Sequence, residues 1–114
     1  MDANDIFDAA HAQPITEILI GDKTYPFGLL SPEQHADISA WGTRIVEFQK
    51  GGTPLSREDM NPTRVLRALL DAGTPGMDWT ETWRHVRPEH VQIANKEYWR
   101  QACIIALGSH QGEA

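Results

Sequence analysis

The stretch ITEILIGDKTYPFGLLSPEQ, residues 15–34, decides the fold. Its first half, Ile15-Thr16-Glu17-Ile18-Leu19-Ile20, is short and rich in β-branched residues. Gly21-Asp22-Lys23 is turn material, and Thr24-Tyr25-Pro26-Phe27-Gly28-Leu29 resumes an extended pattern, so residues 15–29 read as a β-hairpin. Turn length sets the faces. A two-residue turn at Gly21-Asp22 or Asp22-Lys23 puts Ile18 and Ile20 with Tyr25 and Phe27. A three-residue turn brings Ile15 and Leu19 to that face instead, because a slip of one residue inverts every side chain. Pro26 lacks a ladder donor, so the second strand is an edge or bulged there. Two strands alone are marginal in water, and this hairpin needs helices or another chain to pack on.

The same stretch then opens a helix. Ser31 is an N-cap, Pro32 sits at the first helical position, and Gln34 completes a capping box. Ile38, Trp41, Ile45 and Phe48 form one stripe before the stop at Gly51-Gly52-Thr53-Pro54. Asn61-Pro62 opens a second helix with Val65, Leu66, Leu69 and Leu70 inward, ended by Gly73. Asp78 and Glu81 cap a short third helix bearing Trp79 and Trp83, and Pro88 ends it. The last helix carries Val91, Ala94, Tyr98, Ala102 and Ile105 as its stripe, with Trp99, Cys103 and Ala106 beside it, and closes at Gly108. Its run Ala102–Leu107 is apolar all round, which places it at the bundle centre or in an interface. The expected fold is α+β, mainly α: an N-terminal hairpin (15–29) packed on about four helices, at 32–50, 61–72, 79–86 and 89–107.

The ends read differently from this body. Residues 1–14 are expected to be a flexible acidic arm, residues 15–108 a single domain and residues 109–114 a flexible polar tail. Within the arm, Asn4 can cap a helix over 5–10 that presents Ile6, Phe7 and Ala10 together. It is then either a leader or a docking element that orders on a partner. The net charge of −6 is lodged at this end: residues 1–40 hold seven acids and one base, while 41–114 hold nine of each. An acidic arm with an apolar centre suits a basic partner.

Composition excludes several functions. Without a basic block the chain gains little from counterion release, so no nucleic-acid partner is expected. No apolar run approaches the roughly 20 residues of a membrane span, and the acidic N-terminus lacks the apolar core of a signal peptide. Lone Cys103 makes neither an internal disulfide nor a cysteine zinc site. These features point to a small soluble intracellular protein.

Chemistry-bearing patterns are sparse. The nucleotide, esterase and zinc-protease signatures are absent. Glu81, His85 and Glu89 fall at four-residue steps, but Pro88 interrupts the last step and also separates His85 from His90. Ser109, His110 and Glu113 have triad chemistry without the rigid support a triad needs. Cys103 lies in an apolar stretch without an adjacent cation. The chain therefore reads as a non-enzyme without metal or cofactor. Four tryptophans serve core or contact: Trp41 and Trp99 fit the core, while Trp79 and Trp83 lid a core or anchor an interface. The candidate partner-binding residues are Ile6, Phe7, Tyr25, Phe27, Trp79 and Trp83.

The segment ITEILIGDKTYPFGLLSPEQHADISAW, residues 15–41, resembles the small tail assembly chaperones of long-tailed bacteriophages. In that family a short strand, a Gly/Asp turn and an aromatic strand precede a capped helix. The resemblance implies a protein of the infected bacterial cytoplasm that coats the tape measure protein and helps recruit tail tube subunits. It also implies a longer form made by ribosomal frameshifting. Protein partners and self-association are the expected interactions. Two other readings stand beside it: a structural tail or connector subunit retained in the virion, and a small enzyme or inhibitor whose site forms on oligomerisation.

Overall fold

The computed structural model describes residues 3–112, with side chains described for 4–108. The elements are α1 (Ala3–Ala10), β1 (Glu17–Ile20), β2 (Lys23–Pro26), α2 (Pro32–Gln49), α3 (Arg64–Gly73), α4 (Thr80–Trp83) and α5 (Pro88–Gly112). The architecture is α+β and mainly helical, with one two-stranded antiparallel hairpin near the N-terminus.

The hairpin has the two-residue turn. Ile18 pairs with Tyr25 and Ile20 with Lys23, leaving Gly21 and Asp22 as the loop. Gly21 has φ of +67° and, among the described residues, no non-glycine has positive φ, the sign pattern of a II′ turn with glycine first. Ile18 and Ile20 are accordingly buried, half-buried Tyr25 and Phe27 pack on the same core, and Leu19 points outward. Beyond β2 the chain presses on α3: the Gly28 N–H donates to the Leu69 carbonyl at 3.0 Å. A Cβ on Gly73 would overlap the Pro26 carbonyl, and one on Gly28 would overlap Ala72.

Helix α2 begins with the full capping box, Ser31 Oγ accepting from Gln34 N at 3.1 Å and Gln34 Oε1 from Ser31 N at 2.8 Å. It ends in a Schellman motif: Gly52 N–H reaches the Glu47 carbonyl, Gly51 N–H reaches that of Phe48, and Gly51 takes φ of +84°. The core centres on α3, whose Val65, Leu66, Leu69 and Leu70 meet Ile18, Ile20, Leu30, Ile38, Trp79 and Ala94.

Several expected boundaries shift, each for a local reason. The second expected helix starts at Arg64 rather than Asn61, because Asn61 Oδ1 accepts from both Thr63 N and Thr63 Oγ1 and forms a turn first. The third is one α-helical turn, 80–83. The N–H groups of Arg84, His85 and Val86 then bond three residues back, tightening the chain ahead of Pro88. Pro88 opens α5 at its first position. Gly108 does not close α5: it lacks the positive φ of a C-terminal glycine, and the helix continues to Gly112. A fifth helix, α1, adds to the expected four and lies against α5.

One core assignment, Trp99, is corrected, and of the two places expected for the Ala102–Leu107 run the bundle centre is excluded. Trp99 is 40% exposed, and in the Ala102–Leu107 run only Cys103 is fully buried while Ile104 and Ala106 face outward. The elements packed on α5 cover one side of that run, not its whole circumference.

Candidate functional site

Of the residues expected to contact partners, four belong to the core or pack against it. Trp79 is 4% exposed, and its indole N–H donates to Asp71 Oδ1. Tyr25 meets it edge-to-face at 5.7 Å and pairs its hydroxyl with Thr82 Oγ1 at 3.2 Å. Phe27 and Trp83 pack half-buried on the same core. These four rings form a lid on the core. Ile6 and Phe7 stand apart on α1: Ile6 is half-buried, while Phe7 is exposed and stacks on the His11 ring at 4.1 Å.

Four of the exposed large apolar side chains lie elsewhere, along a cleft between α2 and α5. One part, of about 570 Å³, is lined by Ile38, Gly42, Val46, Tyr98 and Trp99. An adjoining part, of about 410 Å³, is lined by Ile45, Phe48, Leu55, Met60 and Val91. Trp41 and Asn95 border both. Val46, Phe48, Met60 and Trp99 are all exposed. A length mismatch in the sequence was the available signal: α2 has 18 residues and α3 only 10. At about 1.5 Å per residue, α2 is some 12 Å longer than the central helix, so α3 cannot cover its whole length.

The Asp59 loop supports the wall of this cleft. Asp59 receives Arg44 through Nε at 2.8 Å and Nη2 at 3.0 Å, and Arg64 Nη1 at 3.2 Å. The Arg44 hydrogen bonds hold the Asp59 carboxyl below its usual range. The backbone carbonyl of Asp59 accepts the Trp41 indole N–H at 2.7 Å, and the Arg64 guanidinium lies 5.7 Å from the centre of that ring.

Next to Tyr98, which lines the cleft, lies a buried polar network that the sequence reading did not foresee. Glu97 and Gln101 sit one turn apart on α5, 2% and 4% exposed. Glu97 Oε1 accepts from Ile15 N at 3.1 Å and Arg100 Nε at 2.7 Å. Its Oε2 accepts from Arg100 Nη2 at 2.9 Å and Gln101 Nε2 at 2.8 Å. Gln101 Nε2 also donates to the Gly28 carbonyl, and Gln101 Oε1 accepts from Leu30 N. His35 joins α2 to this set, its Nε2 lying 3.4 Å from Gln101 Oε1 and its ring stacking on Tyr98 at 4.9 Å. Burial pushes the Glu97 carboxyl up, but the bonds from Arg100, Gln101 and the Ile15 N–H outweigh it and hold the group below its ordinary value.

The histidines considered as ligands have other places. His90 Nδ1 accepts the Arg87 N–H at 2.8 Å, acting as the capping side chain of α5, and His85 packs beside Gly21. Among the described residues no group of three or more His, Cys, Asp or Glu is placed to hold a metal ion. Ser109, His110 and Glu113 lie outside the residues whose side chains are described. Among the described residues no helix is long and apolar enough to cross a membrane. No known protein family, curated protein or solved structure matches the chain.

Proposed function

We propose that the chain is a non-enzymatic tail assembly chaperone of a long-tailed bacteriophage, one that holds the tape measure protein and helps recruit tail tube subunits in the infected cytoplasm. The observation that carries this reading is the α2–α5 cleft, where Trp41, Val46, Phe48, Met60 and Trp99 leave an aromatic-lined surface open to solvent. Apolar patches of this kind on small proteins mark contact sites, and a groove between two helices suits an amphipathic helical partner. The hairpin and capped α2 that carry the resemblance, residues 15–41, lend it further support.

Co-expression of the tagged chain with the tape measure and tube proteins encoded beside its gene tests the proposal. The expected result is a soluble complex with the tape measure protein, and finished particles that lack the chain by mass spectrometry. Stoichiometric retention in the particle would make it a structural subunit, and failure to bind either protein would overturn the reading.

A further inference from the structure

His35, which stacks on the cleft residue Tyr98, has an incomplete hydrogen-bond inventory. His35 is 6% exposed, and its Nδ1 is buried without a partner. Its tautomer follows from the neighbouring amide. Gln101 Nε2 donates to Glu97 and Gly28, so Gln101 Oε1 is the acceptor facing His35. The single proton of the neutral ring therefore sits on Nε2, and Nδ1 carries a bare lone pair.

A second proton on this ring would enter at Nδ1, which has no protein acceptor within hydrogen-bond reach. The surroundings do little to compensate. From α5, Glu97 and Arg100 face this region already bound to each other through two hydrogen bonds. The segment Gly28–Leu30 contributes no charge, and Glu33 and Asp37 of α2 itself are exposed. The Tyr98 face attracts a cation weakly but offers Nδ1–H no acceptor. Burial accordingly moves the His35 pKa down from its ordinary value, with the Gln101 bond opposing it in part.

The position of the ring gives this a mechanical consequence. His35 and Tyr98 join α2 to α5 by the ring stack and by the Tyr98 hydroxyl donating to the His35 carbonyl at 3.3 Å. Tyr98 itself and Ile38, one turn on from His35, line the cleft. We infer that His35 is a proton-sensitive latch: uptake of one proton at Nδ1 expels the ring from its seat, loosens α2 from α5 and widens the apolar cleft. The inference concerns regulation of the surface proposed above as the partner site, and rests on that reading for its biological use.

Two measurements test it. Histidine-ring NMR on the intact protein should show His35 neutral on Nδ1 and titrating below the free-histidine range of about 6.5. Fluorescence of anilinonaphthalene sulfonate should rise at least threefold as the pH falls through the same midpoint, and stay flat over that range in His35→Phe. An ordinary His35 titration would overturn the latch, as would an unchanged dye response in the variant, which would point to the His90 cap instead. Neither readout uses the tape measure protein. Failure of complex formation at neutral pH would therefore remove the functional reading and leave the latch to be decided separately.

Discussion

The Glu97 carboxylate accepts the backbone N–H of Ile15 at 3.1 Å, joining the middle of the last helix to the residue that leads into the hairpin across 82 positions of sequence. The same carboxylate holds Arg100, so the two ends of the fold share one buried charge pair, with side chains 3% and 12% exposed. Removing the acid leaves the guanidinium buried and unpaired. Glu97→Ala should lower unfolding stability by about 3–5 kcal/mol, the range for breaking a buried pair. Urea denaturation at neutral pH measures it, and a cost near zero would show that Arg100 finds solvent.

The acid limb of stability should carry the signature of the same group. Glu97 has a lowered pKa in the fold, so its contribution is fully present above the unfolded value, about 4.3, and is lost as pH falls through the folded value. Urea midpoints should therefore drop steeply below about pH 4 in the native chain. Glu97→Gln should start from lower stability and fall with a shallower slope. Parallel slopes would assign the acid sensitivity to other carboxylates.

What could be read from the residues was local. A hairpin turn within Gly21-Asp22-Lys23 and the Ser31/Gln34 box each depend on neighbours within a few positions, and the structure has both. The local pattern does not choose between turn lengths, and so does not settle which strand face is buried. What could not be read depends on distant partners. Glu97 and Gln101 look like ordinary helix-surface residues, and only the arrival of Ile15, Gly28 and Leu30 beside them makes them buried acceptors and donors. Trp99 was misplaced for the converse reason: an apolar residue beside a helical stripe is buried only if something covers that side. The open cleft depends on α2 being longer than α3, which no single helix pattern reports.

The two tryptophans on either side of this misreading should behave oppositely. Trp79 is enclosed and its indole N–H is bound to Asp71, so Trp79→Ala should cost about 3–5 kcal/mol. Trp99 borders the cleft and is 40% exposed. Trp99→Ser should cost under about 1 kcal/mol, as surface changes usually do, while weakening any binding through the cleft. Thermal melts of both variants beside a co-purification assay separate the roles. A large loss of stability for Trp99→Ser would move that ring into the core.

Cys103 offers a check on the α5 surface. It is 2% exposed, and burial raises its thiol pKa. Thiolate is the reactive form. Ellman's reagent should therefore label the native chain far more slowly than the urea-unfolded chain at pH 8. Equal rates would mean that this part of α5 opens readily.

Two helical glycines test whether backbone contact or helix propensity governs a position. Gly42 in α2 and Gly73 at the end of α3 both have ordinary, non-positive φ, so alanine fits either backbone and is the better helix former at both. Their surroundings differ. A Cβ at Gly42 meets nothing within 4 Å, whereas one at Gly73 would overlap the Pro26 carbonyl where the hairpin strand crosses α3. Gly42→Ala should then stabilise the fold by roughly 0.5–1 kcal/mol, the usual helix gain. Gly73→Ala should destabilise it by about 1–3 kcal/mol, because the strand must move away from α3. Since propensity alone predicts the same sign for both, opposite shifts in the urea midpoint isolate the strand–helix contact as the cause. Equal stabilisation would mean that the hairpin rides loosely on α3.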